Sequence, residues 1–176
     1  MPRSPLHIAG FLLSLVLVLC AQASLAADWL TVTGDGKFTI LMPATPEQSS
    51  DDANTESGRV TLHTYSSYGD DDVLYGVSYS DFADGALGHK SPQQFLRDAQ
   101  SGSVKETKMT LRSSQEIELG RWPGRAFVSE NDKLVYSAHL YLVGNRFYQV
   151  VRIGPKTAAA GPDAAKFFDS FRLAGE

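Results

Sequence analysis

The sequence predicts an α+β fold: an antiparallel sheet of about six or seven strands with helices packed over both faces. Three observations predict it. Short β-rich stretches recur along the chain and are punctuated by tight-turn signals, Asp35-Gly36 and Gly144-Asn145 among them. Two segments open on a proline and carry apolar residues at helical spacing. Finally, Leu134–Val143 is apolar on both sides: Leu134, Tyr136, Ala138, Leu140 and Leu142 alternate with Val135, His139, Tyr141 and Val143. A strand that is apolar on both faces needs cover on both. The alternative is a sheet covered on one side, with an open, wet second face.

In chain order, 29–33 and 37–42 form two short strands, joined at Asp35-Gly36 because both positions tolerate a positive φ. Pro43, Pro46 and the polar run 47–57 predict a solvated loop, packed over the sheet with the helices. Residues 59–68 alternate through Val60, Leu62, Thr64 and Tyr65 and predict a strand. Gly69-Asp70-Asp71-Asp72 turns the chain into a strand over 73–82, with Tyr75, Val77 and Tyr79 on one side. Ser91-Pro92-Gln93-Gln94 is a capping box with proline at the first helical position; Phe95, Leu96 and Ala99 form the stripe and Gly102 the stop. Residues 108–119 and 125–130 predict strands on either side of Trp122-Pro123-Gly124, a type II turn with Pro then Gly at its centre. Gly144-Asn145 returns Leu134–Val143 into a strand over 146–153. The last helix opens at Gly161-Pro162-Asp163 and its stripe is Ala164, Phe167, Phe168 and Phe171.

Composition narrows the function classes. The 176 residues are 43% hydrophobic and 20% charged, enough apolar content for a core. A net charge of −4 argues against binding nucleic acid through phosphate neutralisation. One cysteine makes neither an internal disulfide nor a multi-cysteine zinc site.

Residues 1–26 are expected to be a signal peptide. Arg3 supplies the positive start, and the apolar stretch from Ile8 to Ala21 spans about 14 residues, short of the roughly 20 that cross a bilayer. Ser24-Leu25-Ala26 places cleavage between Ala26 and Ala27. An uncleaved anchor and a lipoprotein at Cys20 are the alternatives; Leu19 is too large for the residue before a lipidated cysteine. Residues 27–176 then form a single domain, exported to the periplasm or secreted. At roughly 150 residues it is long enough to bury about 68–70% of its unfolded surface. No membrane span follows Asp28.

Candidate chemistry is sparse. Asp70, Asp71 and Asp72, with Asp81 and Asp84, form the densest carboxylate cluster, but the spacing fails the calcium-loop pattern because Leu74 occupies a ligand position. His63, His89 and His139 lack the paired spacing of a zinc site, so no metal and no cofactor is expected. There is no Gly-x-Ser-x-Gly elbow, no phosphate-binding loop and no dinucleotide fingerprint. Glu116 and Glu118, side by side on one strand face, predict an exposed edge rather than an acid/base pair. The string Arg121-Trp122-Pro123-Gly124-Arg125 is the candidate for binding a partner or ligand: a rigid turn would present the Trp122 indole between the Arg121 and Arg125 guanidiniums. The competing reading packs Trp122 onto the core. Tyr75, Val77, Tyr79, Tyr136 and Tyr148 are expected in the core.

Gly36-Lys37-Phe38-Thr39-Ile40-Leu41-Met42-Pro43 with Pro46, then Leu119-Gly120-Arg121-Trp122-Pro123-Gly124-Arg125, Gly144-Asn145-Arg146-Phe147-Tyr148-Gln149-Val150 and Phe167-Phe168-Asp169-Ser170-Phe171-Arg172-Leu173, resemble the corresponding segments of PsbP-like domains. The resemblance spans residues 37–173. It implies a three-layer α/β/α sandwich, and a group whose members act mostly by binding partners rather than by catalysis: extrinsic photosystem subunits, a Ran-binding import factor and exported bacterial proteins of no assigned role. It carries over no catalytic residue. The leader and the lack of any photosynthetic marker argue against a photosystem role.

The expectation is therefore an exported, non-enzymatic binding or accessory module of the cell envelope, taking an envelope protein or small ligand at Arg121–Arg125. An assembly factor for a larger envelope complex reads the same way. The alternative is an exported hydrolase with a triad assembled from distant residues.

Overall fold

A computed structural model describes residues 29–55, 58–88, 90–158 and 161–175, with the Asp71 side chain excepted. The predicted cleavage point at Ala26 and Ala27, and Arg3, Cys20 and His89, lie outside the described residues.

The strands are β1 Leu30–Gly34, β2 Phe38–Met42, β3 Glu47–Thr55, β4 Gly58–Tyr68, β5 Leu74–Asp81, β6 Thr110–Leu119, β7 Trp122–Glu130, β8 Leu134–Val143, β9 Arg146–Pro155 and β10 Arg172–Leu173; the helices are α1 Pro92–Thr107 and α2 Pro162–Ser170. Seven strands make one antiparallel sheet in the order β3-β4-β5-β9-β8-β7-β6, and β1-β2-β10 make a second sheet. Among the described residues no helix is long and apolar enough to cross a membrane.

Alternation along the central strands splits the core in two. Tyr75, Val77 and Tyr79 of β5, Tyr141 of β8, and Tyr148 and Val150 of β9 gather with Phe38, Ile40 and Met42 of β2 and with Phe167 and Phe171 at α2. Tyr136, Ala138, Leu140 and Leu142 of β8 gather with Phe127, Phe147 and Leu96 of α1. Strand β8 is thus buried on both sides, as its composition demands, and the five expected core aromatics and aliphatics from Tyr75 to Tyr148 are all buried.

The two covers are offset. Helix α1 rests on β7, β8 and β6. The small sheet and α2 lie on the opposite side, against β4, β5, β9 and β8. The first cover is a helix; the second is mainly a three-stranded sheet, which the strand-by-strand reading does not separate from the main one.

Five local expectations need correction. The polar run 47–57 is not a loop up to Thr55: it pairs with β4 as an exposed edge strand, held by backbone bonds and by pairs such as Asp52 with Arg59 at 2.6 Å. Apolar alternation fails to mark it because neither of its faces is buried. The Asp35-Gly36 turn has three residues, and its positive φ falls on Lys37 at 59°, whose N–H donates to Gly34 at 3.0 Å. Gly36 is required for another reason: a Cβ there would meet the Tyr79 ring at 2.5 Å. Helix α1 runs through Gly102 to Thr107, ending where Lys108 turns left-handed at φ 54°. Ser91 caps it, accepting from the Gln94 N–H at 3.2 Å, but the Gln94 side chain turns to Asp98 and Arg97 instead of closing the box. Finally, Trp122-Pro123-Gly124 is strand, not turn: Leu119 pairs with Trp122, and the chain reverses at Gly120, φ 58°, and Arg121.

Phe171 ties the second cover down. It is 1% exposed, with its ring 5.8 Å from Phe38, 5.5 Å from Tyr148 and parallel to Tyr141 at 5.7 Å. Replacing Phe171 by Ala is expected to cost about 3–5 kcal/mol, through lost transfer energy and the cavity left behind. Urea denaturation of the two proteins measures it; a loss under 1 kcal/mol would show that this face closes without it.

Candidate functional site

The reversal at Gly120 puts Arg121 at the tip of the β6–β7 hairpin, exposed, with its guanidinium over the Trp122 ring at 4.6 Å. Trp122 is half-buried. Side chains alternate from there: Trp122 faces the α2 side together with Ala126, while Arg125 faces the α1 side together with Phe127. Arg125 is only 7% exposed. It donates to Ser114 Oγ at 2.8 Å and to Glu116 at 3.1 Å, and Ser114 in turn donates to Gln100 of α1 at 2.6 Å. Arg97 closes on the same Glu116 carboxylate at 3.7 Å. Strand β6 is an outer strand of its sheet, so Glu116 and Glu118 do lie along an edge. The three residues expected at one binding turn are therefore split: Arg121 and Trp122 form a stacked pair at the tip, and Arg125 pins α1 to the sheet.

A cleft of about 810 Å³ opens on the α1 side of β4, β5 and β9, where α1 does not reach. Its walls are the β3–β4 hairpin and α1; its floor carries Leu62, Ser80, Phe82, Phe147 and Gln149. The sequence marks none of these as a binding residue. The signal was present in β5, where Tyr75, Val77 and Tyr79 alternate with Gly76, Ser78 and Ser80: large side chains on one face, almost none on the other.

With this geometry the chain can be set beside known proteins. No protein-family model and no curated protein sequence matches it. Among solved structures it is similar to the solution structure of cyanobacterial PsbP (CyanoP) from Synechocystis sp. PCC 6803, with a TM-score of 0.57, 10% sequence identity, and 89% of this chain and 98% of that chain covered. The fold is PsbP-like.

Within this PsbP-like fold the other sequence candidates are placed as follows. Asp81 is clasped by Arg146 in two hydrogen bonds of 2.7 Å, which hold its carboxyl below the usual carboxylate range. Asp84 accepts from the Asn145 side chain. Asp70, Asp71 and Asp72 form a short 3-10 turn. Among the described residues no group of three or more His, Cys, Asp or Glu side chains is placed to hold a metal ion. His63 stacks on Tyr79 at 4.7 Å, and its Nδ1 lies 2.8 Å from Ser50 Oγ across the β3–β4 pair.

His139 is half-buried, stacked on Phe168 at 4.2 Å, with the Tyr141 hydroxyl 3.3 Å from its Nδ1. Burial pulls its pKa down from 6.5 to about 4, with Asp169 opposing weakly. The folded state therefore favours neutral imidazole. Its contribution to stability is complete above the unfolded pKa of 6.5 and is lost as the pH falls towards 4. Between pH 7.5 and 4.5 the wild type should lose about 2–3 kcal/mol through this group, a loss that His139→Gln removes. Urea midpoints of both proteins at both pH values give the difference; equal pH slopes would contradict it.

Proposed function

We propose that the chain is a non-catalytic binding or accessory module, exported to the cell envelope, that presents the β6–β7 tip to a partner protein. The offset of α1 on one side of the seven-stranded sheet from the small sheet and α2 on the other supports the layered sandwich that the resemblance implies. The observation that carries the reading is the Arg121–Trp122 stack, 4.6 Å from guanidinium to ring, at the end of a hairpin whose base is locked by Arg125. Trp and Arg together supply flat area and several donors, and stacking holds both in one conformation before a partner arrives. The PsbP-like fold supports an accessory role in a general sense, since it is a scaffold on which function resides in surface features.

A second reading, an exported hydrolase, is favoured by one contact: Ser50 Oγ at 2.8 Å from His63 Nδ1. The carboxylate whose charge reaches His63, Asp81, is held by Arg146. An orienting carboxylate is thus engaged elsewhere.

Affinity capture from the native envelope separates the readings. Arg121→Ala and Trp122→Ala should each reduce retention of the captured protein at least fivefold. The first should leave stability nearly unchanged and the second should lower it by about 1 kcal/mol. Arg125→Ala should instead lower stability by about 1–3 kcal/mol, because Ser114, Gln100 and Glu116 lose their shared donor. Capture that is indifferent to Trp122 and Arg121 would refute the tip as the site. The hydrolase reading requires a fluorophosphonate probe to label Ser50; the expected result is no labelling that Ser50→Ala abolishes.

A further inference from the structure

We propose that the cleft between α1 and the β3–β4 hairpin is a second binding site, for a small uncharged molecule with an apolar body and one hydrogen-bonding group. The proposal does not depend on the tip: the cleft lies over β4, β5 and β9, while the hairpin joins the two strands at the far end of the sheet. Its volume, about 810 Å³, falls in the range of small-molecule sites.

The body of the ligand is set by the aromatic floor. Phe95 of α1 meets Phe82 and Phe147 edge to face, with ring centroids at 5.4 and 5.2 Å. Phe82 and Phe147 are 7% and 6% exposed, so their rings form a fixed platform rather than a mobile patch. The polar group is set by Ser80. It is 3% exposed and lines the cleft, with its hydroxyl on the floor. A hydroxyl at that position can both donate to and accept from a molecule that fills the cleft. Gln149, on the neighbouring strand, lines the same floor and adds an amide.

Charge balance makes the ligand neutral. Among the described residues the charged side chains at the rim are Lys90, Asp98, Lys105 and Glu106, two of each sign. Lys90 and Asp98 neutralise each other at 2.7 Å, and Asp98 also accepts from Gln94 at 2.7 Å. Lys105 and Glu106 add one charge of each sign, so the described lining offers no net charge to offset the desolvation of an ion.

Two probes of one skeleton test this on the full chain: N-phenyl-1-naphthylamine, neutral with one N–H, and 8-anilinonaphthalene-1-sulfonate, its anionic relative. The neutral probe should bind saturably at one site, with a Kd at least tenfold below that of the sulfonate. Ser80→Ala should weaken it three- to tenfold. Gly102→Trp places an indole at the cleft wall, where a Cβ meets nothing within 4 Å, and should abolish binding while the thermal midpoint is kept. Trp122→Ala should leave the probe affinity unchanged, so failure at the tip and failure in the cleft are told apart. The proposal is overturned by equal affinity for both probes, by absence of saturable binding, or by a folded Gly102→Trp protein that binds like the wild type.

Discussion

The molecule depends on one docking event: the β1–β2 hairpin closing over the aromatic face of the large sheet. The Gly36 carbonyl at the hairpin turn is the fixed point. It accepts from both the Tyr148 hydroxyl and Arg146, while the Asp35 N–H donates to the Tyr65 hydroxyl at 3.1 Å. Three polar side chains of the large sheet therefore reach through an otherwise apolar layer to satisfy the turn backbone, which removes the cost of burying it. Arg146 does this while paired with Asp81 at the exposed end of the hairpin, so its charge is balanced as it reaches the turn. Gly36 itself has no room for a side chain, because the Tyr79 ring occupies that space. Farther along, Phe38 meets Tyr65, Tyr148 and Phe171, and Ser170 Oγ accepts from the Leu41 N–H at 2.9 Å. Strand β10 then adds to β2, with Arg172 opposite Thr39, and the Ala174 N–H donates to Lys37. The end of the described chain is thereby tied to its beginning.

That closure explains why the fold was legible in part. Periodicity reports burial, and it succeeded wherever burial is one-sided or complete: β5 with Tyr75, Val77 and Tyr79, β8 on both sides, and α2 with Phe167 and Phe168. It failed where backbone pairing acts without burial. Strand β3 has a polar sequence and an exposed surface, so nothing in its side chains distinguishes it from a loop; only its partner strand fixes it. It also could not say that β1 and β2 leave the main sheet, because a strand buried on one face looks the same in either sheet. Turn chemistry failed for a different reason. Pro123-Gly124 carries the residues of a type II turn, yet Gly120, three positions before the proline, takes the positive φ. Gly124 is needed where a Cβ would strike the Tyr141 ring at 2.5 Å and the Leu140 carbonyl at 2.8 Å. Its glycine reports close approach to β8, not reversal.

The same shift of the turn redistributes the candidate site. Moving the reversal from 122–124 to 120–121 makes Trp122 and Arg125 strand residues three apart, and an odd separation puts them on opposite faces. Composition picks out residue types suited to recognition but cannot divide them between tip and fold. Arg125 looks like a hot-spot residue and is in fact the hub of a hydrogen-bonded set under α1. The division is useful to the fold: a hairpin tip with a buried guanidinium at its base holds its direction, and Arg121 and Trp122 inherit that rigidity.

Offset covering connects the tip and the cleft. If α1 lay across the middle of the sheet, it would shield β5 and β9 on its side, and Gly76, Ser78 and Ser80 would leave voids beneath it. Instead α1 sits over β7, where Arg125 and Gln100 hold it, and Ser80 lines the cleft beside it. The position of the helix is thus set by polar contacts at one end of the sheet, and the empty space appears at the other. Strand β5 supplies the complement: its large side chains serve the aromatic layer below, and its small ones keep the face above open. A sheet built this way has one side committed to stability and part of the other released from it. Tight packing of the hairpin and α2 on the first side is what allows the second to stay partly bare.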